Sequence, residues 1–450
     1  MRRRVLLACR ALFVCALAAA LAGIAPTSAL ASINGDDYVG LTAVNDRGLN
    51  ITEAPAIDAK YGILCDAEGN VLWSRSADTH SAMASLTKTM TAIVALENAD
   101  LDDVFTVSKK AASIGESTTG LKEGMQVPLE TLLNGMLVHS GNDCAITIAE
   151  GIGGDTDTFV GMMNQKAADM GLKNTHFEDP EGLDSANHYS SAADISVIVR
   201  YGMCNDTFRS IVSQSEVTLD LDGEQKTFMS TNALLGVWDD CIGIKTGFTN
   251  HAGECLAAAA SKDGVELYAV VLGSSDESQR FIDAYKLLDW GYAHYRNYTL
   301  ATSDQVLVDA PMSGYLNRTV KAGVADDVNA MVLDFDGDIS VDVRLVDISD
   351  GVSAGQKVGT ITWRQGEKVI ASAPLVAKEN VGAPMPWTSV WTATVRLIGL
   401  ATGDKCIAES VLYAQTTAVE KAAGSYGQSI DSTLEKQIRA YVAAYNASVA

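Results

Sequence analysis

Ser85-Leu86-Thr87-Lys88 stands at the head of the apolar run Thr89-Met90-Thr91-Ala92-Ile93-Val94-Ala95-Leu96. If that run is a helix, Ser85 and Lys88 share one face a turn apart, with hydroxyl and amine within reach of each other. A serine nucleophile needs such a base. Taken alone, the pattern reads equally as a helix cap, with Ser85 as N-cap and Lys88 in solvent. The rest of the chain has to decide between the two.

The chain has 450 residues, of which 47% are hydrophobic and 20% charged, enough apolar material for two or three domains. It opens with Arg2, Arg3, Arg4 and Arg10, then the uncharged stretch Ala11 to Ile24, then the small-x-small site Ala29-Leu30-Ala31. Residues 1–31 therefore read as a secretory signal, its apolar stretch being shorter than a spanning helix needs. The mature chain is expected to begin near Ser32 and to act outside the cytoplasm, in the cell wall or at the outer face of the membrane.

Loss of the signal removes four arginines and no acids, making a formal charge of −23 more negative still. So acidic a surface repels nucleic acid and anionic lipid over the whole molecule. Nucleic acid is thus excluded as an electrostatic partner. Cys9 and Cys15 leave with the signal, and Cys65, Cys144, Cys204, Cys241, Cys255 and Cys406 are scattered with no Cys-x-x-Cys. Neither a metal site nor a dense disulfide framework is expected, and most of these cysteines read as small buried apolar residues.

Around the opening motif the elements are legible. Tyr61-Gly62-Ile63-Leu64-Cys65 and Val71-Leu72-Trp73-Ser74 flank Glu68-Gly69-Asn70 and read as a hairpin just before the helix that begins at Ser85. Pro128 to Val138 reads as a helix with proline in its first turn, and a second helix runs from Cys144 to Ile152. Ser140 and Asn142 fall in the tight loop between them, a pattern that by itself is a capping turn. Further helices are expected over 155–170 and 191–203, with the loop Phe177-Glu178-Asp179-Pro180-Glu181-Gly182-Leu183 between them.

Residues 240–273 turn extended. Ile242 to Phe248, Gly253 to Ala260 and Val265 to Leu272 read as a three-stranded antiparallel meander, followed by a helix near 280–294. Lys245-Thr246-Gly247 lies on the first of those strands. A lysine and a hydroxyl suit a carboxylate, and the adjacent glycine lets a ligand approach the backbone closely. The plain alternative is a polar strand end.

Each motif is weak singly, but Ser-x-x-Lys, Ser-x-Asn and Lys-Thr-Gly in this order form a set known in class A β-lactamases and penicillin-binding proteins. The chain resembles the serine D-alanyl-D-alanine carboxypeptidases of the low-molecular-mass penicillin-binding class. The likeness extends through Met83 to Thr91, Ser140-Gly141-Asn142-Asp143, Gly171-Leu172-Lys173-Asn174-Thr175-His176-Phe177 and Gly243 to Thr249, over roughly residues 50–380. It implies an α+β fold: a β-lactamase/transpeptidase-like antiparallel sheet flanked by helices, with a helical lobe, followed by a small all-β domain.

The resemblance also implies roles. Ser85 would attack the carbonyl between two terminal D-alanines of a peptidoglycan stem peptide, with Lys88 as base and Ser140 relaying a proton. Asn142 would orient the peptide, and Lys245, Thr246 and Gly247 would hold its terminal carboxylate. Backbone N–H groups of Ser85 and Phe248 would form the oxyanion hole. β-Lactams would act as covalent inhibitors, with no cofactor. His139, His176 and His251 are read as structural.

Beyond the catalytic segment 32–297, alternation of Ile339, Val341, Val343 and Leu345 with Ser340, Asp342 and Arg344 predicts a β domain over 298–380, with Asp336-Gly337 as a hairpin turn. Over 385–402, Trp387, Val390, Trp391, Thr394 and Ile398 share a helical face, which suits peripheral contact with a membrane; an ordinary core helix is the alternative. The tail 403–450 is expected to be a loose link followed by a helix capped by Ser432-Thr433-Leu434-Glu435.

Three rival functions fit the same motifs. A class A-like β-lactamase needs a glutamate to activate its deacylating water, for which Glu178 and Glu181 are the candidates in the matching loop. An endopeptidase or transpeptidase would use the same acyl-enzyme with another leaving group or acceptor. A penicillin-binding sensor would acylate and stop.

Overall fold

The computed structural model describes residues 37–39, 42–43, 54–403, 408–422 and 426–449. The segment read as a secretory signal, and Cys406, lie outside the described residues. Strands β1 (Asp37–Val39), β2 (Thr42–Ala43), β3 (Tyr61–Asp66) and β4 (Val71–Arg75) come first, then a 3-10 turn over Ala84–Leu86 and helix α1 (Thr87–Asn98). A helical lobe follows, built from α2 (Lys109–Ser113), α3 (Leu129–Val138), α4 (Asn142–Gly153), α5 (Thr156–Asp169), α6 (Ala192–Met203) and α7 (Asp206–Val212). Two small ribbons border it, β5 (Val104–Thr106) with β6 (Gln126–Pro128), and β7 (Glu216–Leu221) with β8 (Glu224–Met229). Helix α8 (Leu234–Val237), the meander β9 (Cys241–Thr249), β10 (Gly253–Lys262) and β11 (Val265–Ser274), and helix α9 (Gln279–His294) complete this part.

The principal sheet has the order β2-β1-β4-β3-β11-β10-β9, with antiparallel neighbours throughout. The hairpin and the meander, far apart in sequence, join where β3 pairs with β11. Side chains alternate between the two faces of a strand. Ala257, Ala259, Val270 and Leu272 therefore join the core of the helical lobe, on the face against α6, while Leu256, Ala258, Ala260, Leu267 and Val271 pack on the face against α9. Both faces are covered, which is why these strands read as continuous apolar runs rather than as alternation. Each large side chain so buried, such as Trp290 or Phe281, stabilises the fold by about 1.5–3 kcal/mol.

The helix ends follow local rules. Asp155 and Ser191 accept from the N–H groups of Thr158 and Asp194 and so cap α5 and α6. Ser85 is not the N-cap of α1: it sits in the preceding 3-10 turn, whose first residue, Ala84, has φ 51°.

The C-terminal part has its own core around Val320, Ile339, Ile361, Trp363 and Leu375. Strands β12 (Tyr295–Ala301), β13 (Val308–Pro311), β14 (Thr319–Val324), β15 (Val328–Leu333), β16 (Ile339–Leu345), β17 (Lys357–Gln365) and β18 (Lys368–Ala377) are followed by helix α10 (Pro386–Thr402), strand β19 (Val411–Leu412) and helix α11 (Ser432–Val449). They form a six-stranded sheet, β16-β17-β18-β14-β13-β19, and a two-stranded sheet, β12-β15. Asp336-Gly337 is therefore not a hairpin turn. The strands on either side of it pair with different partners, β15 with β12 and β16 with β17. The signal marked the positive φ of Gly337, 86°, which a crossing between sheets needs as much as a hairpin does.

Two further expectations are corrected in the tail. Helix α11 is capped by Asp431, whose carboxylate accepts from the N–H groups of Thr433 and Leu434 at 2.8 and 3.2 Å, while Glu435 pairs with Arg439. The carboxylate one residue earlier outcompetes the serine hydroxyl for the same donors. Nor is the described part of the link loose: β19 extends the sheet beside β13, Thr417 bridges Ile339, and Gly427 accepts from the N–H of Ala56 at 3.0 Å.

Candidate active site

The Ser85 turn lies where α1, the α3–α4 loop, β9 and the loop before α6 converge on one cleft. Lys88, in the first turn of α1, is fully buried and its Nζ reaches Ser85 Oγ at 2.8 Å, Asn142 Oδ1 at 2.7 Å and the carbonyl of Glu181 at 2.7 Å. Three acceptors match the three hydrogens of an ammonium group. Burial nevertheless lowers the Lys88 pKa to about 8, against the opposing pull of Glu181, Asp179 and Glu116. A fraction of the amine is therefore neutral near pH 7, with a lone pair that can take the Ser85 proton.

Ser140 closes the α3–α4 loop with φ 71°, an uncommon conformation for a residue with a side chain. Asn142 opens α4; its Nδ2 donates to the carbonyl of Gly115 at 3.1 Å while its Oδ1 serves Lys88. The next residue, Asp143, accepts from the N–H groups of Thr119, Gly120 and Leu121 and so holds the loop bearing Glu116 and Ser117 at the cleft rim.

On the other side, β9 is the terminal strand of the sheet, so its outer edge faces the Ser85 turn. Gly247 makes this approach feasible: a Cβ there would lie 2.8 Å from the carbonyl oxygen of Met83 and 3.1 Å from the N of Ser85. Both are backbone atoms that cannot give way. Gly182, with φ 93°, does the same from the opposite loop, where a Cβ would overlap the carbonyl of Ala84. That loop is fixed by Thr91 Oγ1 donating to the carbonyl of Pro180 at 2.6 Å, and by buried His188, whose two ring nitrogens meet Thr87 Oγ1 and the N–H of Glu178.

The cleft has a volume of about 580 Å³ and is lined by Ser85, Ser140, Asn142, Thr246, Gly247 and Phe248, together with Glu116, Leu183, Thr231 and Arg280. Lys245 stands buried behind Thr246, and burial, then the positive charges of Lys88 and Arg280, hold its pKa well below the usual lysine value. Thr246 Oγ1 donates to Thr231 Oγ1 at 2.6 Å. Arg280 is the basic side chain that lines this end of the cleft, beside Glu277, with Lys245 behind Thr246.

Sequence reading did not anticipate several of these neighbours. Arg280, on α9, contacts Glu254 at 2.6 Å and donates to the carbonyl of Gly247 at 3.2 Å. Glu181, which the sequence offers as a water-activating candidate, instead presents its backbone carbonyl to Lys88. Its side chain is buried, Oε2 has no hydrogen-bond partner, and burial, then Asp179, raises its pKa to about 7. Tyr445 of α11 stands in the cleft wall. No local pattern marks these residues; long-range packing brings them in. His139 is buried against the ring of Phe228 with centroids 4.6 Å apart, whereas His176 and His251 lie nearer solvent and bond Asn187 and Asp184. The cysteines Cys65, Cys144, Cys204, Cys241 and Cys255 are free thiols, all buried except Cys204.

Residues 49–276 match the D-alanyl-D-alanine carboxypeptidase family, and residues 295–383 match the C-terminal domain of penicillin-binding protein 5. The chain belongs to the D-alanyl-D-alanine carboxypeptidase family. The D-alanyl-D-alanine carboxypeptidase DacC of Escherichia coli is 31% identical over 357 residues, covering 75% of this chain and 88% of that one. Among solved structures, the D-alanyl-D-alanine carboxypeptidase DacD of Francisella tularensis is 26% identical with a TM-score of 0.56, covering 75% of this chain and 97% of that one. The Streptomyces K15 DD-transpeptidase is 32% identical with a TM-score of 0.51, over 53% of this chain and 98% of its own. As a carboxypeptidase-family chain it carries α10, β19 and α11 beyond both matched segments.

Proposed function

We propose that the chain hydrolyses the terminal D-alanyl-D-alanine bond of peptidoglycan stem pentapeptides, with Ser85 as nucleophile and Lys88 as base. The contact between Lys88 Nζ and Ser85 Oγ, 2.8 Å across a buried amine of lowered pKa, carries this reading. Neutral Lys88 takes the hydroxyl proton as Ser85 Oγ bonds to the carbonyl carbon of the penultimate D-alanine. The oxyanion is held by the N–H groups of Ser85 and Phe248. Collapse breaks the C–N bond, and the proton passes through Ser140 to the departing amine of D-alanine. Water then attacks the Ser85 ester, giving its proton to Lys88, which returns it to Ser85 Oγ as the C–O bond breaks and the shortened peptide leaves.

Substrate placement follows from the same surroundings. The outer edge of β9 offers backbone groups to an extended peptide, as edge strands do. Thr246, Gly247 and Arg280, with Lys245 buried behind Thr246, suit its terminal carboxylate, and Asn142 suits the peptide amide. β-Lactams would acylate Ser85 as covalent inhibitors of the same step. The class A-like β-lactamase reading has less support, because Glu181 presents its backbone carbonyl to Lys88 while its side-chain Oε2 is buried without a hydrogen-bond partner.

Export places the enzyme with its substrate, outside the cytoplasmic membrane. Helix α10 is the element suited to lie on that membrane: Trp387, Val390, Trp391 and Ile398 are more than half exposed, and no helix among the described residues is long and apolar enough to cross.

The test is mass spectrometry of the pentapeptide reaction, with a penicillin-labelling assay beside it. Wild type should release free D-alanine and form a covalent adduct, and Ser85→Ala should do neither. Retention of either activity by Ser85→Ala removes Ser85 from the mechanism. Rapid penicillin hydrolysis without a lasting adduct would favour a β-lactamase instead.

A further inference from the structure

Helix α11 returns from the C-terminal part to the cleft. Its base is anchored by Ile438, fully buried in the core under α8 and α9, and by Tyr441, whose ring lies over Gly236 where a Cβ would be 2.3 Å from it. Tyr441 OH donates to the carbonyl of Ser230 at 3.1 Å, and Asn446 Nδ2 to Glu277 at 2.8 Å. These contacts hold both ends of the helical turn that carries Tyr445.

Tyr445 is therefore a fixed part of the wall and not a passing side chain. It lines the cleft together with Thr246, Thr231, Arg280 and Glu277, the group at the carboxylate end. It also lines the adjoining depression around His139, Phe228 and Lys226, its ring centroid 6.3 Å from that of His139. Glu116, Ser117 and Tyr445 border both hollows, so the tyrosine ring stands between them.

We infer that Tyr445, carried by α11, closes the carboxylate end of the cleft and makes it selective for stem peptides that end in a free D-alanine. This rests on the carboxypeptidase reading above. A terminal D-alanine offers only a methyl group and a carboxylate at that end. In a cross-linked dimer the leaving residue belongs to a second stem peptide, whose chain must continue past the point that the ring occupies. Selectivity then arises by exclusion of the longer leaving group rather than by added attraction for the shorter one. Tyr445 is a specificity-determining residue under this inference, with no part in proton transfer.

The experiment compares kcat/KM for a stem pentapeptide and for a cross-linked muropeptide dimer, using full-length wild type, Tyr445→Ala, Tyr445→Phe and Ile438→Asp. Tyr445→Ala is expected to raise the dimer-to-pentapeptide ratio by about tenfold or more, as removal of a steric block does. Tyr445→Phe keeps the ring and should keep the wild-type ratio. Ile438→Asp undocks the helix from a point remote from the cleft and should behave like Tyr445→Ala. An unchanged ratio in a Tyr445→Ala protein that still binds penicillin covalently overturns the inference and leaves the carboxypeptidase reading standing. A wild type that releases no D-alanine overturns both.

Discussion

Replacing Asn142 by alanine and by aspartate should move the acid limb of the acylation rate in opposite directions. Asn142 Oδ1 accepts from Lys88 Nζ at 2.7 Å, with both residues buried. A hydrogen bond from a charged donor contributes about 1.5–3 kcal/mol, and one pKa unit corresponds to about 1.4 kcal/mol. The neutral amine keeps part of that bond, so the lower end applies: Asn142→Ala should lower the Lys88 pKa by about 1 unit. From a starting value of about 8, the limb then falls to about 7. Asn142→Asp puts a carboxylate against the ammonium group and should raise the pKa by about 1–3 units. The base works when neutral, so the alanine variant gains relative rate at lower pH and the aspartate variant is confined to alkaline pH. Both should lose plateau rate, because the amide also ties the loop at Gly115. Single-turnover acylation by a fluorescent penicillin, followed across neutral and alkaline pH, reads the limb directly. If the two variants shift it in the same direction, or if the alanine variant leaves it near 8, Lys88 is not the group that sets it.

The carboxylate of Glu181 favours protonated Lys88, so Glu181→Gln should shift the same limb to lower pH; a limb that rises contradicts the assigned electrostatics. Gly247→Ala puts a Cβ against backbone atoms of Met83 and Ser85, and a displacement on the ångström scale should cost about 10²-fold in acylation rate, with a lowered Tm by calorimetry. The acidic chain is repelled by anionic lipid, so any membrane contact through α10 is apolar. Full-length protein should float with zwitterionic vesicles and the Trp387→Ser/Trp391→Ser double variant should not; a wild type that fails to float removes that role from α10.

What was legible in the sequence was local. The hairpin and meander follow from apolar runs with turn residues between them, and the meeting of Lys88 with Ser85 follows from an i,i+3 spacing on a helical turn. Cap and turn residues were legible as types but not as partners: Asp431 took the cap expected of Ser432, and Gly337 turned the chain between sheets instead of within one. Contacts over long sequence separation left no local mark. Arg280 and Tyr445 enter the cleft because α9 and α11 pack where they do. The link after α10 looked loose by composition because small polar residues carry no periodicity, yet its backbone finds partners on β13, Ile339 and Ala56.

The return of α11 has a consequence in time. Gly427 and Gln428 bond to Ala56 and Ala54, so the segment that walls the cleft closes a loop spanning most of the described chain. A chain made from its N-terminus can fold its sheet and helical lobe before α11 has been synthesised. The surfaces on which α11 docks thus precede it along the chain, and the wall that Tyr445 adds to the cleft is the last part to be made. Until then the cleft lacks the wall that Tyr445 supplies.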